Sequence, residues 1–268
     1  MPIYRCNKCG FVCEDAQTPV HTPTPCGRCG TPSTVYGTVF FVEELIKRLA
    51  TVTRDFKALQ AQQAAAELGD NYPLFADLLD RVRYAYRKSY TNVNLELGKL
   101  SQKDGQTITK FCRNLYEHTF FARYHYQKPE KIARLTLQSA PAVRQFFEGG
   151  WLEWYALMQV LALNGQNAGN VSYARNVKVV FPNEDLHELD VVCLPAGQPP
   201  ICIECKSGEF RRDIDKYLRL SKRLGLSKSR FIICSTDLTD EQAHGLSAMY
   251  DLSFVNLQTL KNHLQKVI

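Results

Sequence analysis

The segment that decides the fold reads Glu188-Leu189-Asp190-Val191-Val192-Cys193-Leu194-Pro195-Ala196-Gly197-Gln198-Pro199-Pro200-Ile201-Cys202-Ile203-Glu204-Cys205-Lys206. Two apolar runs flank a turn rich in Pro and Gly, which is the pattern of a β-hairpin. In a hairpin symmetric about Gly197, Asp190 and Glu204 are direct neighbours, with about 5 Å between their Cβ atoms. Lys206 shares their face because it lies two residues beyond Glu204. We therefore expect two acids and a lysine to cluster on one face of the hairpin.

Two carboxylates at this separation repel each other, and a divalent cation offsets that repulsion. We predict that Asp190, Glu204 and the backbone carbonyl of Cys205 bind Mg²⁺ or Mn²⁺, with water and a substrate phosphate in the remaining positions. Lys206 would orient the attacking water and offset charge on the phosphate, while the cation lowers the pKa of that water. The alternative is an ordinary salt-bridged hairpin without a metal ion.

An almost wholly apolar helix is predicted over residues 151–163, and Glu153 is its one acid. A buried, unpaired carboxylate is costly, so we expect Glu153 to meet a cation or a metal and count it among the catalytic residues. The alternative is an exposed glutamate at a helix start, where the helix dipole favours it. Further strands at 171–181, 231–235 and 253–255, with helices between the later ones, indicate an α/β domain over residues 141–268.

Asp190 together with Glu204-Cys205-Lys206 resembles the core motif of PD-(D/E)xK nucleases, and Glu153 matches the acid that many of them carry on the preceding helix. Residues 149–153, 183–191 and 203–208 more narrowly resemble the nuclease domain of CRISPR-associated nucleases of the Card/Can type. This resemblance implies a restriction-endonuclease-like mixed sheet flanked by helices, and metal-dependent cleavage of DNA or RNA. Such relatives usually carry an N-terminal domain that senses cyclic oligoadenylate, but residues 1–140 show no strand–helix alternation long enough for it.

The segment 1–37 is rich in Cys, Pro, Thr and Gly and cannot build an apolar core unaided. Two Cys-x-x-Cys pairs, each followed by glycine, predict a structural zinc ribbon. Its ligands would be Cys6, Cys9, Cys26 and Cys29, with Cys13 and His21 as substitutes. The alternative is a redox pair or unligated thiols. The other cysteines lie mostly in apolar runs, which is typical of buried free thiols in a reducing compartment.

The segment 38–140 is predicted to be mainly helical, with an amphipathic helix from 41 to 68, a second from 73 to 87, a third around 108–116, and short strands at 121–126 and 132–137. Residues 81–134 contain twelve Lys or Arg against four acids, which favours contact with phosphates. The candidates for nucleic-acid binding there are Arg81, Arg83, Arg87 and Lys88, among aromatic residues that could stack on unpaired bases. Lys216 and Tyr217, on a helix after the third strand of the α/β domain, are further candidates. The alternative is a solvated basic helix face.

The composition is that of a globular protein, with 45% hydrophobic and 22% charged residues and a net charge of +6. No run of 18 apolar residues and no secretory signal are present, so we expect a cytoplasmic protein without a membrane partner. The expected partner is nucleic acid, DNA before RNA, and a homodimer would suit duplex cleavage. The competing hypotheses are a non-catalytic nucleic-acid-binding protein and an adaptor built on a nuclease-like core.

Overall fold

The computed structural model describes residues 3–5, 8, 12–14, 23–34, 56–167, 171–181, 186–195 and 197–268. The chain divides into two compact units, one formed by Asp55–Met158 and the other by Met1–Arg54 with Gln159–Ile268. The division at residues 37 and 140 that composition suggested stays a prediction.

The unit Asp55–Met158 combines helices with a small antiparallel sheet. Its helices are α1 (Phe56–Asp70), α2 (Tyr72–Arg87), α3 (Gln102–Glu117) and α4 (Pro141–Gln145), and its strands are β5 (Asn92–Glu96), β6 (Phe121–Gln127) and β7 (Ile132–Leu137). The sheet has the order β5-β7-β6. The two strands and the helices predicted here are confirmed over the described residues, and the part of the first helix before Phe56 lies outside them. The strand β5 was missed, because its alternating sequence directly follows a strongly helical segment.

The described residues of the N-terminal segment form two short hairpins, β1 (Ile3–Arg5) with β2 (Val12–Glu14), and β3 (Pro23–Pro25) with β4 (Pro32–Thr34). The turn between β3 and β4 holds Cys26 and Cys29. The N–H of Arg28 donates to the Cys26 Sγ over 3.4 Å, and the N–H of Gly30, which has a φ of +69°, donates to the Cys26 carbonyl. This geometry suits a zinc-binding turn, but Cys6 and Cys9 lie outside the described residues, so the zinc ribbon stays a prediction.

The segment Phe146–Gly150 follows α4 and leads into helix α5 (Trp151–Asn167), with a kink at Gly149, whose φ of +152° is not helical. The predicted end of this helix after residue 163 was wrong by a few residues, since the helix continues to Asn167. None of the helices in the described part of the chain combines the length and the apolar character that a membrane crossing requires.

A five-stranded mixed sheet forms the centre of the second unit. Its strands are β8 (Val171–Val180), β9 (Leu186–Pro195), β10 (Ile201–Lys206), β11 (Phe231–Ser235) and β12 (Ser253–Val255), in the order β12-β11-β10-β9-β8. Strands β8, β9 and β10 pair in antiparallel fashion, whereas β10, β11 and β12 run parallel to one another. With helices α6 (Ile214–Leu224), α7 (Asp240–Met249) and α8 (Leu257–Val267) following the strands, the predicted α/β class with a mixed sheet is confirmed.

The hairpin β9–β10 has the register that the sequence predicted. Ile201 pairs with Cys193, Cys202 with Val192 and Ile203 with Val191, so the strands are symmetric about Gly197. The next position in this register places Glu204 opposite Asp190. The strands are covered on both faces, as Val191, Val192, Cys202 and Ile203 are all buried. The apolar core around Cys202 includes Phe210, Tyr217, Phe231 and Phe254. The buried Glu204, two residues further along β10, therefore lies beside an apolar core.

Candidate active site

Asp190, Glu204 and Lys206 meet at the carboxyl end of β10. The Lys206 Nζ lies 3.2 Å from the Glu204 Oε2 and 3.3 Å from the Asp190 Oδ2. The backbone N–H of Cys205 donates to the same Asp190 Oδ2 over 2.8 Å. The carboxylate of Asp190 is therefore oriented by the facing strand and by the lysine, both acting on one oxygen.

Glu204 is almost wholly buried, with 3% of its surface exposed. Its Oε1 is a buried oxygen that accepts no hydrogen bond from the described residues. Burial, and then the nearby carboxylate of Asp190, raise the pKa of Glu204 to about 7, and the Lys206 ammonium only partly opposes them. A buried carboxylate oxygen without a donor costs free energy, so this oxygen is the feature of the site that most needs a ligand.

Lys206 keeps its charge in this setting. Burial acts to lower the pKa of its ammonium, but the carboxylates of Glu204 and Asp190 outweigh burial and raise that pKa. The Lys206 Nζ also lies 5.5 Å from the centre of the Tyr217 ring, and Lys216 lies 5.8 Å from the same ring. Burial raises the pKa of the Tyr217 hydroxyl, so this side chain stays neutral beside the lysine.

The donor set fits a divalent cation. Asp190 and Glu204 offer oxygen ligands from facing strands, and the unbonded Oε1 gives a cation a position that the described protein groups do not fill. Clusters of three or more His, Cys, Asp or Glu do not occur among the described residues. A cation here would therefore rest on two carboxylates with further oxygens from backbone, water or substrate, which is the way Mg²⁺ is commonly held.

Asn176 faces the candidate site in the sheet register and has an unusual backbone conformation, neither of which the sequence predicted. On β8 it falls between the pairs Arg175–Val191 and Val177–Leu189, which places it opposite Asp190 in the register. Its φ is +54°, an unusual value within a strand, and its side chain is exposed. An asparagine in a strand-like run is the only sequence signal of this position, because asparagine tolerates the left-handed region better than most residues.

The remaining predicted residues lie in the unit Asp55–Met158. Glu153 is half-buried in the first turn of α5. Arg81 pairs with Asp77 over 2.8 Å and Arg83 pairs with Asp80, both on helix α2. Arg87 and Lys88 end that helix and are exposed. The roles predicted for these side chains stay predictions.

The solved structures with a similar fold include two larger proteins. Protein VC1899 from Vibrio cholerae has a TM-score of 0.51 at 18% identity, over 86% of this chain and 57% of that protein. Can2 from Sulfobacillus thermosulfidooxidans, solved in complex with cyclic tetra-adenylate, has a TM-score of 0.55 at 16% identity, over 78% of this chain and 53% of Can2. The chain thus spans little more than half the length of either. No protein-family model and no curated protein matches it. At these identities the likeness shows a shared Can2-like fold.

Proposed function

We propose that the protein is a metal-dependent nuclease that hydrolyses phosphodiester bonds at Asp190, Glu204 and Lys206. The observation that carries this proposal is the buried Glu204 Oε1, an unbonded carboxylate oxygen beside a second carboxylate and a charged lysine. Metal-dependent phosphodiester hydrolysis needs a metal site lined by oxygen ligands and, beside it, a positively charged side chain that faces the phosphate. The resemblance of the motif to PD-(D/E)xK nucleases and the Can2-like fold point in the same direction.

Each residue has a role that follows from its position. Asp190 and Glu204, with the backbone carbonyl of Cys205, would hold Mg²⁺ or Mn²⁺. When bound, this ion supplies a water of lowered pKa and neutralises charge on the phosphate. Lys206 keeps its proton, so it orients that water through a hydrogen bond and faces the phosphate as a cation. Because Asp190 holds Lys206 over 3.3 Å, the lysine is positioned before substrate arrives.

We expect DNA before RNA as substrate, Glu153 as a further acid of the site, and the cations of α2 with Lys216 and Tyr217 as contacts to nucleic acid. The four N-terminal cysteines would hold a structural zinc ion, and a homodimer would suit duplex cleavage. A cytoplasmic location belongs to the same proposal. Can2 was solved with cyclic tetra-adenylate, so that nucleotide is the first activator to test.

The test is cleavage of labelled single- and double-stranded DNA and RNA in Mg²⁺, Mn²⁺ or EDTA, with and without cyclic tetra-adenylate. We expect cutting that needs the metal, and losses of at least about 100-fold in Glu204→Ala and Lys206→Ala. Glu188→Gln is the matched control, because Glu188 is an exposed acid two residues before Asp190 on β9. Equal cutting by wild type, Glu204→Ala and Lys206→Ala would place the activity elsewhere.

One observation favours the alternative of a non-catalytic nucleic-acid-binding protein. Lys206 contacts both carboxylates within 3.3 Å, so one positive charge already compensates part of their repulsion without a metal. A wild-type protein that binds nucleic acid but cuts none of the panel under every condition would support this alternative.

A further inference from the structure

A groove of about 360 Å³ lies between helix α2 and strand β5 within the unit Asp55–Met158. Its lining includes Arg81, Tyr84, Tyr90, Asn92 and Asn94. The side chains of Tyr84 and Tyr90 are 50% and 56% exposed, although large apolar side chains are usually covered. The volume is within the range of about 300–1,000 Å³ that small-ligand pockets have.

The rings of the two tyrosines form an aromatic corner. Their ring centroids are 6.2 Å apart and their planes meet at 64°, so one ring offers its face beside the edge of the other. The end of α2 orients the backbone of Tyr90, because its N–H donates to the Ala85 carbonyl over 2.8 Å. This bond requires Ser89 to adopt a φ of +57°. A preformed aromatic corner loses little conformational entropy when a flat ligand stacks on it.

The groove also offers polar groups. The Arg81 guanidinium lies 2.8 Å from Asp77 and 3.4 Å from the carbonyl of Asn94, which holds it at the rim. The side chain of Asn94 is exposed and presents both a donor and an acceptor. One acid, Asp80, lines the groove as well, but it pairs with Arg83. Arginine at the rim suits a phosphate, and an amide beside an aromatic face suits a base.

We propose that this groove binds an unpaired nucleotide of a single-stranded nucleic acid, with the base on the corner of Tyr84 and Tyr90 and a phosphate at Arg81. The inference rests on the proposed function and deepens it by naming a single strand as the substrate class. Bases in a duplex are paired and stacked on their neighbours, so their faces are not offered to a tyrosine. A single strand exposes them.

The experiment measures binding apart from cleavage, by fluorescence anisotropy in EDTA. The probes are fluorescein-labelled oligo(dT), oligo(U) and a DNA hairpin duplex. We expect Tyr84→Ala and Tyr90→Ala each to weaken single-strand binding about ten-fold, which is the usual effect of losing one base–aromatic stack. Tyr84→Phe and Tyr90→Phe keep the ring and should bind within about two-fold of wild type. Tyr116→Ala is the control, since Tyr116 is 43% exposed on α3 and does not line the groove.

The outcomes separate this inference from the nuclease proposal. Three results would each overturn the proposed binding in the groove. They are alanine variants that bind single strands as tightly as wild type, equal losses of affinity for duplex and single strand, and a wild-type protein that binds no probe. If the protein cuts in a metal-dependent way and the tyrosine variants bind as wild type does, the nuclease proposal holds and the groove proposal fails. Tyrosine-dependent binding without any cutting would leave the groove and remove the nuclease. Capture of a protein partner through Tyr84 and Tyr90, with no nucleic-acid binding, would assign the surface to an adaptor instead.

Discussion

The backbone N–H of Cys205 donates to the Oδ2 of Asp190 over 2.8 Å, across the hairpin that joins β9 to β10. A main-chain donor cannot rotate away as a side chain can, so the carboxylate of Asp190 is oriented before any ligand binds. The bond also joins the two strands just beyond their last paired residues, Ile203 and Val191. The candidate site is therefore built into the sheet, and its stability and its ligand binding should be linked.

The stability of the metal-free protein should depend on the protonation of Glu204. Burial and Asp190 raise the folded-state pKa of Glu204 to about 7, above its ordinary value of 4.5. The folded state therefore binds more protons between these pH values, and stability falls as the pH rises from about 4.5 to about 7. At about 1.4 kcal/mol per pKa unit, the loss is on the order of 3 kcal/mol.

Urea unfolding without added Mg²⁺ or Mn²⁺ at pH 5 and pH 7.5 measures this dependence. Glu204→Gln should remove most of the difference in unfolding free energy between the two pH values. Mg²⁺ at pH 7.5 should restore stability in wild type but not in Glu204→Gln, because the cation takes the place of the proton on Glu204. Parallel losses in wild type and Glu204→Gln would show that another group titrates.

Helix α1 should tolerate no side chain at Gly69. An alanine Cβ there would lie 2.1 Å from the ring of Tyr155, which is only 5% exposed and has little room to move. We expect Gly69→Ala to lower the free energy of unfolding by about 3 kcal/mol. Gly105→Ala on α3 is the control, since nothing lies within 4 Å of its Cβ position, and it should gain about 0.5–1 kcal/mol from helix propensity. Thermal unfolding of both variants tests this prediction. Equal changes in stability for Gly69→Ala and Gly105→Ala would contradict the close packing of Gly69 against Tyr155.

The end of helix α3 carries a strained residue. Thr119 has a φ of +64°, an outlier for a β-branched residue, while the N–H of Phe120 donates to the Leu115 carbonyl over 2.8 Å. Because Thr119 is exposed, Thr119→Gly should relieve the strain without losing packing and raise stability by about 0.5–1 kcal/mol. Gly225 ends α6 with a φ of +67° and the same bond pattern. The reverse change, Gly225→Thr, should lower stability by a similar or larger amount. A stability loss in Thr119→Gly would contradict this explanation.

The sequence predicted the hairpin well, because a Pro- and Gly-rich turn centred on Gly197 leaves one symmetric register that pairs the apolar runs. The burial of Glu204 was harder to foresee. Alternation places Glu204 on the face of Lys206, but only the helices that cover this face decide whether water reaches it. The unbonded Oε1 is therefore a property of tertiary packing.

Local signals failed where packing or turn geometry overrode them. The five residues of β5 are too few for their alternation to stand out after helix α2, although Val93 and Leu95 are buried as the alternation requires. The corner of Tyr84 and Tyr90 depends on the left-handed backbone conformation of Ser89. A serine in the sequence does not predict that conformation, whereas a glycine after a helix would. Asn176 also has a positive φ, and an asparagine within a strand pattern does not by itself predict that conformation.

Zinc content tests the predicted ribbon. We expect about one zinc ion per chain by plasma mass spectrometry, and loss of that ion in Cys26→Ser and in Cys29→Ser, since a tetrahedral thiolate site does not survive the loss of a ligand. Cys112→Ser is the control, because Cys112 is wholly buried and burial raises the pKa of its thiol, so that it does not ligate metal as a thiolate. Full zinc content in all three variants would place the ion elsewhere.

The most direct test of the central claim is Mn²⁺ binding measured by electron paramagnetic resonance on the whole chain. We expect wild type and Glu188→Gln to remove Mn²⁺ from the free signal equally, and Asp190→Asn and Glu204→Gln to bind it at least about ten-fold more weakly. Equal binding by all four proteins, or no binding by wild type, would contradict a metal site at Asp190 and Glu204.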